Sequence, residues 1–389
     1  MMKMHTLEET DILFYLTNMV LPHIHRHICA AHAEGRVTVI YWKRAGYDFQ
    51  SRLPEGVLEI PVEAAFFSRH SAGRLISFFI FALKSWFLLR KATLARIIYV
   101  NYLDVLWIAS LAFRKSPGRM IYGVADLSSA QIGGQPLINA AVRRFEQRLM
   151  KDIACLILTS PHFWSEYYAK IYTGPWHLIE NLPEAGPWKD FQRKPKDGIC
   201  VIGYIGWLRE RRPIECLLAA VRQLRTKGHD VRIFFAGFGP EEAEVKALAA
   251  GRAEVTFWGP YDYAKDIASL YGRVDVVFAV YDADSSNTRI LMPHRFYEAV
   301  ICGLPIMAAR KTKLAERVAS LDTGYVVDHL SVDQMKAALQ SHIAFDDEAK
   351  RINAALQSID KSAYVYDQYA SVLSGIFSLR VPPEASTKE

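Results

Sequence analysis

The sequence predicts an α/β protein with two Rossmann-like, doubly wound units facing a central cleft. Three observations carry this expectation. Strand-like apolar runs alternate with helix-like stretches almost throughout. One stretch rich in turn formers, 184–198, separates two such series. The chain has 389 residues, long enough for two cores.

The elements follow in order. "DILFYLTNM" (11–19) reads as a first buried strand, "PHIHRHICAAHAEG" (22–35) as a helix closed by Gly35, and "RVTVIYW" (36–42) as a second strand. Residues 54–68 read as irregular, and an apolar helix is expected over 75–91. Then come the strand "RIIYV", the helix "LDVLWIASLAFRK", the strand "RMIYGVAD" ending at Asp126, the helix "PLINAAVRRFEQRLMKD" and the strand "ACLILTS". A helix from Pro161 and "WHLIENLP" close a first domain, 1–183.

Residues 184–198, "EAGPWKDFQRKPKDG", read as an interdomain linker. The second domain, 199–360, opens with "ICVIGYIG" and runs through "VRIFFAG", "VTFWG", "VDVVFAV", "PIMAA" and "GYVVD", with helices between them. Residues 361–380 are expected to form a helix packing back on the first domain, and 381–389 a disordered tail.

Hydrophobic residues make up 51% and charged residues 23%, which excludes a disordered chain. The net charge of +6 favours anionic partners, and the absence of a dense basic tract with interleaved aromatics argues against nucleic acid. The five cysteines are widely spaced and form no CxxC pair, so they are expected to be buried free thiols in a reducing cytoplasm. Neither a cleavable leader nor a membrane span is expected. The run Leu75 to Leu89 is shorter than the roughly 20 residues that cross a bilayer.

The segment with most chemistry in it is "MPHRFYEAVICGLPIM", 292–307. Pro293 suits a first helical turn, Gly303 the residue past a helix end, and Pro305 blocks continuation. Arg295 and Glu298 share one face of this short helix. The free N–H groups of its first turn, with His294 and Arg295, favour a diphosphate. Glu298 lies roughly 5–8 Å further along at 1.5 Å per residue, the reach from a diphosphate to a ribose diol of the same nucleotide. The other reading is a surface i,i+3 ion pair.

The same segment resembles the nucleotide-binding segment of GT-B glycosyltransferases, close to "P-x-K/R-x-x-E-x-x-x-x-G-x-P-v", and above all that of the large retaining family numbered four. "GYIGWLRERRP" is similar to that family's glycine turn, which contributes Gly206, and "FFAGFGPEE" to its next strand and turn, with Gly237. The resemblance implies the GT-B fold, a nucleotide-diphosphate sugar as donor, a lipid-linked or glycan acceptor, and no obligatory metal or other cofactor. The retaining family has a further Glu eight residues before the ribose Glu, where this chain has Ile290. Asp282, Asp284, Ser285, Ser286 and Asn287 lie just upstream as alternative sugar contacts.

The resemblance also puts an Arg or Lys of the first turn on the diphosphate. Arg209 is the first choice, with Arg212 beside it, and a solvated basic loop is the plain alternative. "IYGVADLSSAQ" resembles the first domain of the inverting xanthan-assembly glucuronosyltransferase family, whose catalytic base falls on Asp126; a helix cap is the alternative there. Retaining, inverting and non-catalytic nucleotide-sugar-binding readings stay open.

His23, His25 and His27 are expected in the turn and helix after the first strand, as acceptor or phosphate contacts or as plain exposed side chains. No further ligand completes a metal set with them. The helix 75–91, with Phe79 and Trp86, either rests peripherally on the cytoplasmic face of the inner membrane or is core.

Overall fold

The computed structural model describes residues 5–17, 22–43, 53–64, 71–114, 118–189, 191–193 and 198–378. The expected tail, 381–389, and parts of the expected linker lie outside the described residues. The chain divides into two compact units, Met1–Glu180 with Tyr369–Glu389, and Asn181–Gln368.

In the first unit seven parallel strands form one sheet: β1 (Ile12–Leu16), β2 (Val37–Lys43), β3 (Leu58–Glu63), β4 (Ile97–Asn101), β5 (Arg119–Val124), β6 (Ile153–Leu158) and β7 (Trp176–Leu178), ordered β3-β2-β1-β4-β5-β6-β7. Every residue of β1 and β4 is buried, as expected of central strands covered on both faces. The helices of this unit are α1 (Pro22–His32), α2 (Ser71–Leu89), α3 (Tyr102–Ala112), α4 (Ser129–Ile132), α5 (Pro136–Leu149) and α6 (Pro161–Glu166).

The second unit has a six-stranded parallel sheet of β8 (Ile199–Ile205), β9 (Asp230–Ala236), β10 (Val255–Phe257), β11 (Val276–Ala279), β12 (Ile306–Ala309) and β13 (Gly324–Val327), ordered β10-β9-β8-β11-β12-β13. Its helices are α7 (Arg211–Arg225), α8 (Glu242–Ala249), α9 (Tyr263–Tyr271), α10 (Ser286–Ile290), α11 (His294–Cys302), α12 (Lys313–Ser320), α13 (Val332–Ala344) and α14 (Asp347–Ser358). Strand order reverses between β8 and β11, and ligands of open α/β sheets bind at the carboxyl ends of strands at such a reversal. The chain then returns to the first unit as α15 (Ala370–Phe377), which packs on α1.

Several expectations need correcting. The stretch expected to be irregular contains β3, an edge strand whose residues alternate in exposure and which tolerates Pro61 because only one side is paired. The second unit begins at Asn181, inside the expected first domain, and Trp188 of the expected linker is buried edge-on against Tyr271 at 5.5 Å. In the expected C-terminal helix, 361–369 forms two 3₁₀ turns, and only Ala370–Phe377 is α-helical. Cys29 is exposed on α1 rather than buried.

α2 has two distinct faces. Ser77, Phe81, Ser85 and Leu89, four residues apart, are buried; Phe81 stacks on Trp42 at 4.9 Å, and the Tyr15 hydroxyl bonds Ser85 at 2.7 Å. Ile76, Phe79, Ile80, Leu83 and Phe87 form an exposed apolar stripe on the other side. The core reading of this helix holds for its buried face, and Trp86 lies between the two faces, half-buried.

Replacing Phe81 by Ala should destabilise the first unit by about 3–5 kcal/mol, the usual cost of deleting a buried ring. Phe87→Ala should change stability by less than about 0.5 kcal/mol. Urea unfolding followed by tryptophan fluorescence checks both; similar losses would show that α2 has no free face.

Candidate functional site

The carboxyl edge of the second sheet is assembled by two glycine turns. After β8, Gly206 adopts φ 120°, and after β9, Gly237 adopts φ 127°, values open to glycine. The Gly206 N–H donates to the Ala236 carbonyl at 2.8 Å, and the Leu208 N–H to the Phe238 carbonyl at 2.9 Å. A Cβ at Gly237 would lie 1.9 Å from the Gly206 carbonyl oxygen, so the two turns touch backbone to backbone.

Behind the Gly206 turn lies Arg295, in the first turn of α11. It is 6% exposed, its guanidinium sits 4.1 Å from the centre of the Tyr204 ring, and Nη1 donates to the Phe278 carbonyl at 2.9 Å. Its Nε has no hydrogen-bond partner, and among the described residues no carboxylate forms an ion pair with it. A Cβ on Gly206 would stand 3.2 Å from Arg295 Nη2, so glycine leaves the guanidinium its room.

Arg209 approaches the same place from the β8–α7 loop. Its guanidinium lies 5.2 Å and that of Arg295 5.6 Å from the centre of the Tyr281 ring, so two cations converge on one aromatic side chain at the strand reversal. Arg209 also pairs with Glu210 at 3.2 Å. Glu210 is buried and accepts from the Asp282 N–H at 2.9 Å; burial pushes its carboxyl up, against that bond and Arg209.

Glu298 occurs one turn further along α11, 4% exposed. Its Oε1 accepts from the Tyr263 hydroxyl at 2.8 Å and lies 3.0 Å from His294 Nδ1, while Oε2 accepts from the Tyr271 hydroxyl at 2.5 Å. The acid expected to face a ribose thus has protein partners on both oxygens. Burial would raise its pKa, but His294 and the two tyrosine hydroxyls outweigh this and hold it below the usual carboxylate value.

Pro293 is the N-cap residue of α11, just outside the helix rather than in its first turn, and Gly303 ends it with φ 63°. Arg212 is exposed on the first turn of α7, and Asn287 is half-buried in α10. Sequence reasoning missed Tyr204, Tyr281, Glu210, Tyr263 and Tyr271. Only the position of Tyr281 at the end of "VDVVFAVY" offered a signal. Asp282, Asp284 and His329 offer ligand atoms within 4.8 Å of one another, the one grouping of metal-ligand type among the described residues. His329 Nε2 lies 3.4 Å from Asp282 and 3.7 Å from Asp284.

In the first unit, Asp126 is exposed two residues past the end of β5. Its loop is anchored by Gln131, whose Oε1 accepts from the Ser128 N–H at 2.9 Å and whose Nε2 donates to both oxygens of Glu146 at 3.1 and 3.0 Å. Glu146 is fully buried and also accepts from Tyr122, Tyr167 and Tyr168. The expected exposed histidines are corrected: His23 and His27 are buried on the inner face of α1, where Ile24 and Ile28 draw the helix onto the sheet. His27 Nδ1 lies 3.3 Å from the Tyr99 hydroxyl, and burial holds its pKa well below the usual value.

Residues 199–344 match the family described as Glycosyl transferases group 1. No curated protein matches the chain. Among solved structures it is similar to sucrose-phosphate synthase from Thermosynechococcus elongatus, at 16% identity over 94% of this chain and 98% of that one, TM-score 0.69. It is similar to Anabaena HepE in complex with UDP and glucose, again at 16% identity over 94% and 98%, TM-score 0.69. WaaG, a glycosyltransferase involved in lipopolysaccharide biosynthesis, matches at 16% identity over 94% of this chain and 100% of that one, TM-score 0.61. The fold is GT-B, with two Rossmann-like units.

Because Glu298 is held below its ordinary pKa, its contribution to stability is present above the unfolded-state value and is lost as pH falls through the folded-state value. Glu298→Gln should therefore flatten the acid side of the stability–pH curve below about pH 4.5. Thermal unfolding of both proteins between about pH 3 and 7 checks this; parallel curves would refute it.

Proposed function

From a glycosyltransferase of GT-B fold, we infer an enzyme that transfers a sugar from a nucleotide-diphosphate donor to a hydroxyl of a lipid-linked or polysaccharide acceptor at the cytoplasmic membrane face. The observation that carries the donor reading is Arg295, a buried guanidinium with no ion-pair partner among the described residues, beneath a glycine turn at the strand reversal. Burying an uncompensated charge is costly, and an anionic ligand removes that cost. A diphosphate is such a ligand, and the first-turn N–H groups of α11 add to its attraction. The complexes of HepE with UDP and with UDP-glucose agree with a donor of this class.

In this reading Gly206 and Gly237 admit the phosphates close to backbone, and Arg295 and Arg209 stabilise the charge that grows on the departing diphosphate. Arg212 and Asn287 flank the donor. His294 and Tyr263 move off Oε1 of Glu298, and the ribose hydroxyls take the places of these two donors. Asp126, exposed at the carboxyl edge of the first sheet, takes the acceptor proton in an inverting reaction. Ile290, where the retaining family has its second acid, supports the inverting glucuronosyltransferase-like alternative over the retaining one. The exposed stripe of α2, with Phe79, supports peripheral membrane contact on the acceptor side. No helix among the described residues is long and apolar enough to cross a membrane.

Calorimetric titration with uridine diphosphate and other nucleoside diphosphates tests the donor site. Arg295→Gln should weaken binding by about 10- to 150-fold, the loss expected for a hydrogen bond to a charged group, and Arg209→Gln by less. Unchanged affinity in both would remove the donor site. With a donor identified, Asp126→Asn should abolish turnover and spare nucleotide affinity; undiminished turnover would take Asp126 out of the mechanism.

A further inference from the structure

The outer surface of the first unit carries an apolar and basic face wider than α2. α3 packs against both α2 and α5, and Trp107 of α3 meets Phe145 of α5 edge-on at 6.1 Å. Each of these helices exposes large apolar side chains at helical spacing: Leu83 and Phe87 on α2, Leu111 on α3, and Leu137, Ile138 and Phe145 on α5. Leu137 is 87% exposed and Phe87 65%, which no core role requires.

The exposed charges of the three helices themselves have one sign, and one acid, Glu63 of β3, borders Phe87. α2 contains no carboxylate, and α3 has only Asp104, half-buried and accepting from the Thr17 hydroxyl at 2.7 Å. α5 has only Glu146, fully buried in its tyrosine web. Arg144 and Arg148 are exposed on the stripe of α5 that holds Leu137, Lys151 follows them, and Arg90 and Lys91 follow α2. Across the three helices the surface thus presents apolar side chains and cations, and no exposed carboxylate.

We propose that the α2–α3–α5 face is a docking surface for an anionic phospholipid leaflet, with Leu83, Phe87, Leu111 and Leu137 entering the headgroup boundary and Arg144, Arg148, Arg90 and Lys91 pairing with lipid phosphates. Charge complementarity selects this occupant. A second copy of the chain would bring like-charged faces together, and a neutral surface would leave the arginines unpaired. The proposal deepens the membrane contact proposed above for α2, adding two helices and a lipid class. It does not depend on the donor or on Asp126.

Sedimentation of the full chain with vesicles of phosphatidylcholine alone, and of phosphatidylcholine with phosphatidylglycerol, tests it. Binding should need the anionic lipid and fall with rising salt. Leu83→Ser with Phe87→Ser should abolish it. Arg144→Gln with Arg148→Gln should weaken it by about fivefold per residue removed, from about 1 kcal/mol per basic side chain at such a surface. Uridine diphosphate affinity and the far-ultraviolet circular dichroism spectrum should stay as in the parent protein for both pairs. Three results would overturn the proposal: no sedimentation with anionic vesicles, equal binding to both vesicle types, or a dimer in solution that the Leu83 and Phe87 changes dissociate. Failure of the unsubstituted protein to bind anionic vesicles, with its nucleotide affinity intact, counts against the membrane face and not against the transferase; absent nucleotide affinity with vesicle binding intact does the reverse.

Discussion

The second unit is organised around one buried cation. Arg295 lies between the Tyr204 ring and the Gly206 turn, donates to the Phe278 carbonyl, and forms no ion pair with a carboxylate among the described residues. Aromatic faces and carbonyl oxygens lower the cost of such a charge without cancelling it. Much of the local sequence serves this arrangement. Gly206 leaves space for Nη2, Gly237 lets the neighbouring turn close up, and Tyr281 holds Arg209 near the same point.

Glu298 shows the opposite policy three residues away. Its charge is buried too, but two tyrosines and a histidine satisfy it from α9 and from its own helix. The pair therefore separates into a cation held by a carbonyl and aromatic rings and an anion held by hydroxyls and an imidazole. Glu146 of the first unit resembles the second case, with three tyrosines and a glutamine on one carboxylate. Such webs join elements far apart in sequence and fix their mutual geometry more than they add net stability.

Most of the architecture was legible because parallel sheets covered on both faces produce continuous apolar strands, and these alternate with amphipathic helices. β3 was hidden because an edge strand alternates in exposure and here contains Pro61. The C-terminal helix was shortened because 361–369 coils into 3₁₀ turns despite its periodic aromatics. In the site, Arg295, Glu298 and the glycine turns could be read locally, within one short helix and two strand ends. The occupation of Glu298 could not, since Tyr263 and Tyr271 reach it from 35 and 27 residues away. His23 and His27 were misjudged because their inward face shows only in the packing of α1, where Tyr99 and Phe377 meet His27.

α15 follows the whole of the second unit in sequence yet belongs to the first. Phe377 lies against Phe14 at 5.6 Å, Tyr99 at 6.3 Å and His27 at 6.4 Å, so it fills part of the core begun by the first strand. On the ribosome, this core stays incomplete while nearly two hundred later residues are translated. During that interval the early strands present an unfilled apolar seat to solvent. The second unit, continuous in sequence, can mature before the one that precedes it.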